Sequence, residues 1–425
     1  MSTPQTADQV QDAARQLIRC TGDTARAVVD GLTETSWGHL LEAVSPALYP
    51  YLDFRLTAAR AIDAIPLNAR RALARARRAS IAADLQRRSV LRAALACLAA
   101  NGIPAVLLKG AAVAHTVYPE SHLRPMTDLD IWVTDAELTD AVHRLLEKGF
   151  NVPQGVLADG RVSPALDQRR LCAGSGVLLE LHGSVRSLEC VSSERLERCR
   201  TRLVPLWIHG FRTRMLCPED ALVHTCLHVA MTNRFAKSQL SLLDVCLLIE
   251  AHGADLDWDR MAADASREHI AVYLTLALTT ARDVWGARIP EEFVAAIGEI
   301  PGLPAMQALA LEQVWEPNPA LPSALEKVLQ QPTGAARLAA VLRRVLVYPW
   351  EASRGETRTP WKKARQAADR VKTDVTVKIP GYVRAWARGD LAAGELRRRA
   401  RLAARRSRLG LLAGEAEERR RKASR

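Results

Sequence analysis

The sequence predicts an α+β protein with an α/β-like core: a short mixed sheet flanked by helices, with further helical regions before and after it. Three observations carry this. Helical periodicity dominates the first hundred residues and returns after Pro218, where apolar side chains recur three and four positions apart. Between those stretches the pattern changes to short apolar runs at 103–108, 129–133 and 177–182. The runs alternate with helical segments, which is the order expected of an α/β or α+β unit.

Taken in order, Val10, Ala13, Ala14 and Leu17 share one helical face, and Leu40, Leu41 and Val44 continue the pattern. A long basic amphipathic helix is predicted from Leu67 to Ala100, stopped by Asn101-Gly102. The run 103–108 reads as a strand, and Lys109-Gly110 turns it into a helix over 111–117. Residues 129–133 form the second strand. Thr134-Asp135-Ala136-Glu137 is a capping box opening a helix with Leu138, Val142, Leu145 and Leu146, which stops at Gly149. A third strand is predicted over 177–182. Pro218-Glu219-Asp220 opens a helix through His224 and His228, and two more follow at 241–251 and 270–285.

At 425 residues the chain exceeds one ordinary core, so several domains are expected. The composition shifts suggest a helical region at 1–66, a core at 67–215, a helical domain at 216–330 and a basic, helical or partly disordered region at 331–425. No run of 18 apolar residues occurs, which predicts no transmembrane segment. Met1-Ser2-Thr3-Pro4-Gln5 lacks signal-peptide character. Eight cysteines with no C-x-x-C pair read as reduced thiols, so a cytoplasmic location is expected. High Ala and Arg content fits a GC-rich bacterial genome. The net charge of +12 is uneven: residues 331–425 hold 25 Lys+Arg against 9 Asp+Glu, and the remainder holds 34 against 38. The excess basicity therefore lies in the last quarter, where Arg397-Arg398-Arg399, Arg405-Arg406 and Arg419-Arg420-Arg421-Lys422 suggest an exposed helix or tail with an anionic partner.

The chemistry concentrates at Asp128-Leu129-Asp130. On a strand these two carboxylates point to one face, roughly 7 Å apart. Acids on a largely buried strand are costly unless paired, and a divalent metal pairs them well. Two carboxylates sharing Mg²⁺ beside a triphosphate are the minimum equipment for nucleotidyl or phosphoryl transfer. Glu180 and His182 share one face of their strand. His224 and His228, at i and i+4 around Cys226, invite a zinc reading, but without further ligands at suitable spacing they read as packing or hydrogen-bonding residues. Asp244 reads as an ion-pair partner inside its helix.

Several of these segments together carry a resemblance. They are Leu108-Lys109-Gly110 with Tyr118-Pro119, then Arg124-Pro125-Met126-Thr127-Asp128-Leu129-Asp130, then Leu179-Glu180-Leu181-His182. Cys217-Pro218-Glu219-Asp220 with His224 and His228, and Leu242-Leu243-Asp244, continue the set. Over about residues 70–300 the chain resembles the uncharacterised nucleotidyltransferase family of the polymerase-beta-type superfamily. The resemblance implies that Asp128 and Asp130 bind metal, that Glu180 is a third ligand or general base, and that two Mg²⁺ ions hold the triphosphate of an NTP such as ATP. The superfamily's usual phosphate-gripping Gly-Ser is replaced here by Lys109-Gly110. Backbone N–H groups at that helix start can still face a phosphate, Lys109 adds a point charge, and Arg124 is a second candidate phosphate ligand.

The expected function is Mg²⁺-dependent transfer of a nucleoside monophosphate from an NTP to a hydroxyl of a protein, peptide or small-molecule acceptor. Two other classes fit the sequence. One is a non-catalytic nucleotide-binding regulator, favoured by the missing serine. The other is an interaction or scaffold protein acting through its basic C-terminal tail.

Overall fold

The computed structural model describes residues 7–19, 22–153, 168–183, 193–316 and 393–423. Four helices come first: α1 (Ala7–Arg19), α2 (Gly22–Gly31), α3 (Glu34–Ala43) and α4 (Tyr49–Ala58). Pro66 precedes α5 (Leu67–Ala100), a helix of 34 residues that ends at the bounds its sequence predicts, with Gly102 at φ +69°. Its C-terminal half buries Val90, Leu91, Ala94, Leu95 and Leu98 against the sheet.

The sheet has six strands in the order β3-β4-β2-β1-β6-β5. They are β1 (Val106–Leu107), β2 (Asp128–Trp132), β3 (Gln168–Cys172), β4 (Leu178–His182), β5 (Val204–Ile208) and β6 (Phe211–Met215). Pairs β2–β4 and β1–β6 are parallel, and the other three are antiparallel, so the sheet is mixed. β1 is shorter than the predicted run of 103–108; Pro104 has no N–H to give a ladder. Three strands, β3, β5 and β6, lie outside the predicted runs. β3 is a polar edge strand joined to β4 by a turn containing Gly174, Ser175 and Gly176. β5 and β6 form a hairpin whose loop is His209-Gly210, both at positive φ, as a tight hairpin turn of matching twist requires.

Two helices lie between the early strands: α6 (Lys109–Thr116) and α7 (Asp135–Glu147). The capping box of α7 is formed in both directions: Glu137 N–H donates to Thr134 Oγ1 at 3.2 Å, and Thr134 N–H donates to Glu137 Oε2 at 3.2 Å. α8 (Ser193–Thr201) precedes β5. Then follow α9 (Pro218–Leu227), a wide π-type turn (His228–Asn233), α10 (Gln239–His252), α11 (Trp258–Arg267), α12 (Ala271–Trp285), α13 (Glu291–Ile297), α14 (Leu303–Trp315) and α15 (Ala393–Ala423).

The alternation of β2 and β4 divides the core. Leu129, Ile131, Leu179 and Leu181 pack with α5 and α7 on one face. Trp132, on the other face, belongs to a larger core that joins α1–α4 to α9–α14. The early and late helical regions thus share one apolar interior. The basic C-terminal helix joins it too: Leu409, Ala413 and Ala416 of α15 are buried there. Arg405 pairs with Glu312 at 2.6 Å, and the Val272 N–H donates to Glu417 at 2.8 Å. Residues 331–392 of the predicted basic region lie outside the described residues. Among the described residues no helix is long and apolar enough to cross a membrane.

Candidate active site

The site is built by register. In the parallel β2–β4 pair, Asp130 stands opposite Glu180, Asp128 opposite Leu178, and Trp132 opposite His182. In the antiparallel β3–β4 pair, Arg170 stands opposite Glu180. Directly opposed residues share a sheet face, so Arg170, Glu180 and Asp130 lie abreast across three strands. Lys109, at the end of β1, completes the row: its Nζ donates to Asp130 Oδ1 at 2.8 Å. Arg170 Nε donates to Glu180 Oε1 at 2.7 Å, and its Nη2 reaches the same oxygen. The row reads cation, anion, anion, cation.

Burial makes these charges matter. Asp130 and Glu180 are 4% and 5% exposed, which for carboxylates requires partners. Asp130 Oδ1 also meets His182 Nε2 at 2.7 Å. Burial pushes the Asp130 carboxyl up, but Lys109 and the His182 hydrogen bond outweigh it and hold the group well below the usual carboxylate range. Lys109 is correspondingly raised: burial opposes its charge, and Asp130 overcomes that. Asp128, at the open end of β2, moves the other way. Burial and the like charges of Asp130 and Glu180 raise it, with Lys109 and the Thr127 hydroxyl, 3.2 Å away, opposing.

Lys109 occupies an unusual backbone position. It is the first residue of α6 and sits at φ +45°, the left-handed region that a non-glycine residue enters at a cost. The strand-to-helix turn spends that strain to aim Nζ at Asp130. Gly110 follows with no room for a side chain, because a Cβ there would overlap Arg124 Nη1. Arg124 is itself fixed. Its Nε and Nη2 donate to Asp244 at 2.9 and 2.6 Å, and the Tyr118 hydroxyl donates to Asp244 at 2.7 Å. Asp244, in α10, is therefore the ion-pair partner its sequence position suggests, and it ties the loop before β2 to the helical layer.

Behind Lys109 lie His224 and His228. Burial, with Lys109 close by, holds both imidazoles in the neutral form, His228 down to about 4. His224 Nε2 is buried without a hydrogen-bond partner among the described residues. Among the described residues the spacing of these histidines is not matched by a metal cluster; the donor group that comes together there is Asp130, Glu180 and His182, with one ligand atom of each within 4.8 Å of the others. Two carboxylate oxygens and an imidazole nitrogen are a donor set that suits a divalent cation. Asp128 stands two residues earlier on the same strand, opposite Leu178.

All six residues singled out in the sequence, namely Lys109, Gly110, Arg124, Asp128, Asp130 and Glu180, thus lie around one end of the β1–β2–β4 strands. Arg124 is the one turned away, toward Asp244. Sequence reasoning passed over Arg170 and gave His182 no role of its own.

Buried acids paired across neighbouring strands, with a lysine from the adjoining helix start beside them, have charges compatible with holding a cation next to an anion. The chain belongs to the uncharacterised nucleotidyltransferase family, whose model matches residues 33–286. The protein is accordingly a nucleotidyltransferase, a class that takes an NTP as substrate and usually employs a divalent metal. No curated protein and no solved structure matches the chain.

Proposed function

We propose that the protein transfers a nucleoside monophosphate from an NTP to a hydroxyl of an acceptor, releasing pyrophosphate, and that the site row just described performs it. The observation that carries the reading is the juxtaposition of Asp130, Glu180 and His182 below the Lys109-Gly110 turn. Asp128, Asp130 and Glu180 hold two Mg²⁺ ions in this reading, with His182 available as a nitrogen donor. The ions supply neutralisation of the triphosphate and a lowered pKa for the attacking hydroxyl.

The protein's own groups do the rest. Lys109 brings its ammonium to the phosphates, and the N–H groups opening α6 face them. Gly110 lets the backbone come close, and Arg124, locked on Asp244, holds that turn from behind. Glu180 accepts the proton of the acceptor hydroxyl. Most of the rate gain comes from positioning and charge, as in other phosphoryl transfers. A protein, peptide or metabolite serves as acceptor.

The test follows α-phosphate-labelled ATP, GTP, CTP and UTP separately, with Mg²⁺ and bacterial extract as the acceptor source. Label should enter an acid-stable product with matching pyrophosphate release, and Asp128→Asn should abolish both. Label transfer that persists in Asp128→Asn would contradict the assignment.

A further inference from the structure

The row Arg170–Glu180–Asp130–Lys109 is closed at both ends by a cation, and only one of those cations has a place in the mechanism above. Arg170 lies on the site face of an edge strand, and its side chain is 35% exposed while its partner's is 6% exposed. Both of its donors found here, Nε and Nη2, converge on a single oxygen, Oε1 of Glu180. Its sequence neighbours Arg169 and Leu171 face the other way, so Arg170 alone of its strand's arginines looks into the site.

Charge balance makes the pairing conditional. Asp128, Asp130 and Glu180 against Lys109 and Arg170 leave one net negative charge. A divalent cation drawn to Asp130 and Glu180 reverses that sign, and two cations leave a strong positive excess. Lys109 and Arg170 then need another anion, and the triphosphate of an incoming NTP is one. A guanidinium fork matches two phosphate oxygens as well as it matches a carboxylate.

We propose that Arg170 is a triphosphate-binding residue that exchanges its partner, resting on Glu180 until a divalent cation takes that carboxylate and then turning to the NTP phosphates. The exchange couples metal and nucleotide: each lowers the electrostatic cost of the other. It rests on the nucleotidyltransferase reading and adds to it a residue and an order of events.

The consequence is a pair of effects with opposite signs. Removing Arg170 frees Glu180, so metal alone binds more tightly; it also removes a phosphate ligand, so the metal–triphosphate complex binds more weakly. A residue that only braces the sheet moves both in the same direction. The experiment compares full-length wild type, Arg170→Ala and Arg170→Lys. Mn²⁺ alone is followed by its free-ion electron paramagnetic resonance signal, and magnesium tripolyphosphate, which carries no base, is followed by calorimetry. Thermal melting confirms that each variant is folded, and the lysine variant keeps the test open should the alanine one unfold.

Arg170→Ala is expected to bind Mn²⁺ several-fold more tightly and magnesium tripolyphosphate about tenfold more weakly. Arg170→Lys should fall between it and wild type on both. Unchanged tripolyphosphate affinity in the folded variants, or weaker Mn²⁺ binding, would overturn the exchange while leaving the enzyme reading intact. A wild type that binds neither tripolyphosphate nor any of the four NTPs would instead overturn the reading beneath it.

Discussion

At the residue scale, two positions carry testable stress. Asp128 is the carboxylate whose neighbours oppose its charge: burial, Asp130 and Glu180 all push it up. The repulsion acts in full once the pH lies above the raised folded value, where the carboxylate is charged. Asp128→Asn should therefore stabilise the protein in the presence of chelator, by about 1–3 °C in Tm, a modest figure because the side chain is partly solvated. A fall in Tm would mean that Asp128 is held by partners rather than crowded by them. Gly110 is under the reverse constraint. A methyl group there meets Arg124 Nη1, and Arg124 cannot move without leaving Asp244. Gly110→Ala should cost about 1–3 kcal/mol in denaturant unfolding.

At the element scale, the loop before β2 is held by α10. Asp244 is 1% exposed and Arg124 9%, so Asp244→Ala leaves a buried guanidinium without its counter-charge. The expected loss is about 3–5 kcal/mol, against about 1 kcal/mol for Tyr118→Phe, which removes one hydrogen bond; equilibrium denaturation measures both. α6 also meets the β5–β6 turn, where the His115 and His209 rings pack edge to face at 5.1 Å. Burial, aided by His209, lowers His115 to about 4. The unfolded chain takes up this proton near 6.5 and the folded protein only near 4, so stability falls as pH drops through that window. His115→Gln should flatten the slope of the denaturation midpoint between pH 6.5 and 4.

What the sequence disclosed at this scale follows from how local each signal is. The capping box at Thr134, the stop at Asn101-Gly102 and the alternation in Asp128-Leu129-Asp130-Ile131 are contained in a few residues. β3 is not: Gln168-Arg169-Arg170-Leu171-Cys172 has weak alternation, and only pairing with β4 makes it a strand. Arg170 becomes notable only because the register sets it against Glu180. The β5–β6 hairpin did leave a signal, Ile208-His209-Gly210-Phe211, two apolar residues around a two-residue turn ending in glycine.

At the scale of the whole molecule, the C-terminal basic helix is the main departure from what composition suggests. Its arginines read as an exposed helix or tail, yet α15 sinks an apolar seam of Leu409, Ala413 and Ala416 into the helical core, and Arg420 reaches the Ile297 carbonyl at 2.7 Å. Charge counts see every arginine; the seam depends on spacing and on α12 and α14 as partners. Deleting residues 393–425 should lower Tm by several degrees and raise binding of an apolar dye, whereas loss of a free tail changes neither. The same shared core sets helices from before α5 and after β6 together against the site face of the sheet.

The most direct measurement is a calorimetric titration of ATP, GTP, CTP and UTP, each with Mg²⁺, into the wild type and into an Asp128→Asn/Asp130→Asn variant. At least one NTP should bind the wild type in a metal-dependent manner, and that binding should vanish in the folded double variant. NTP binding that survives loss of both aspartates, or none at all to a folded wild type, would contradict a metal-dependent site on the shared face of β2 and β4.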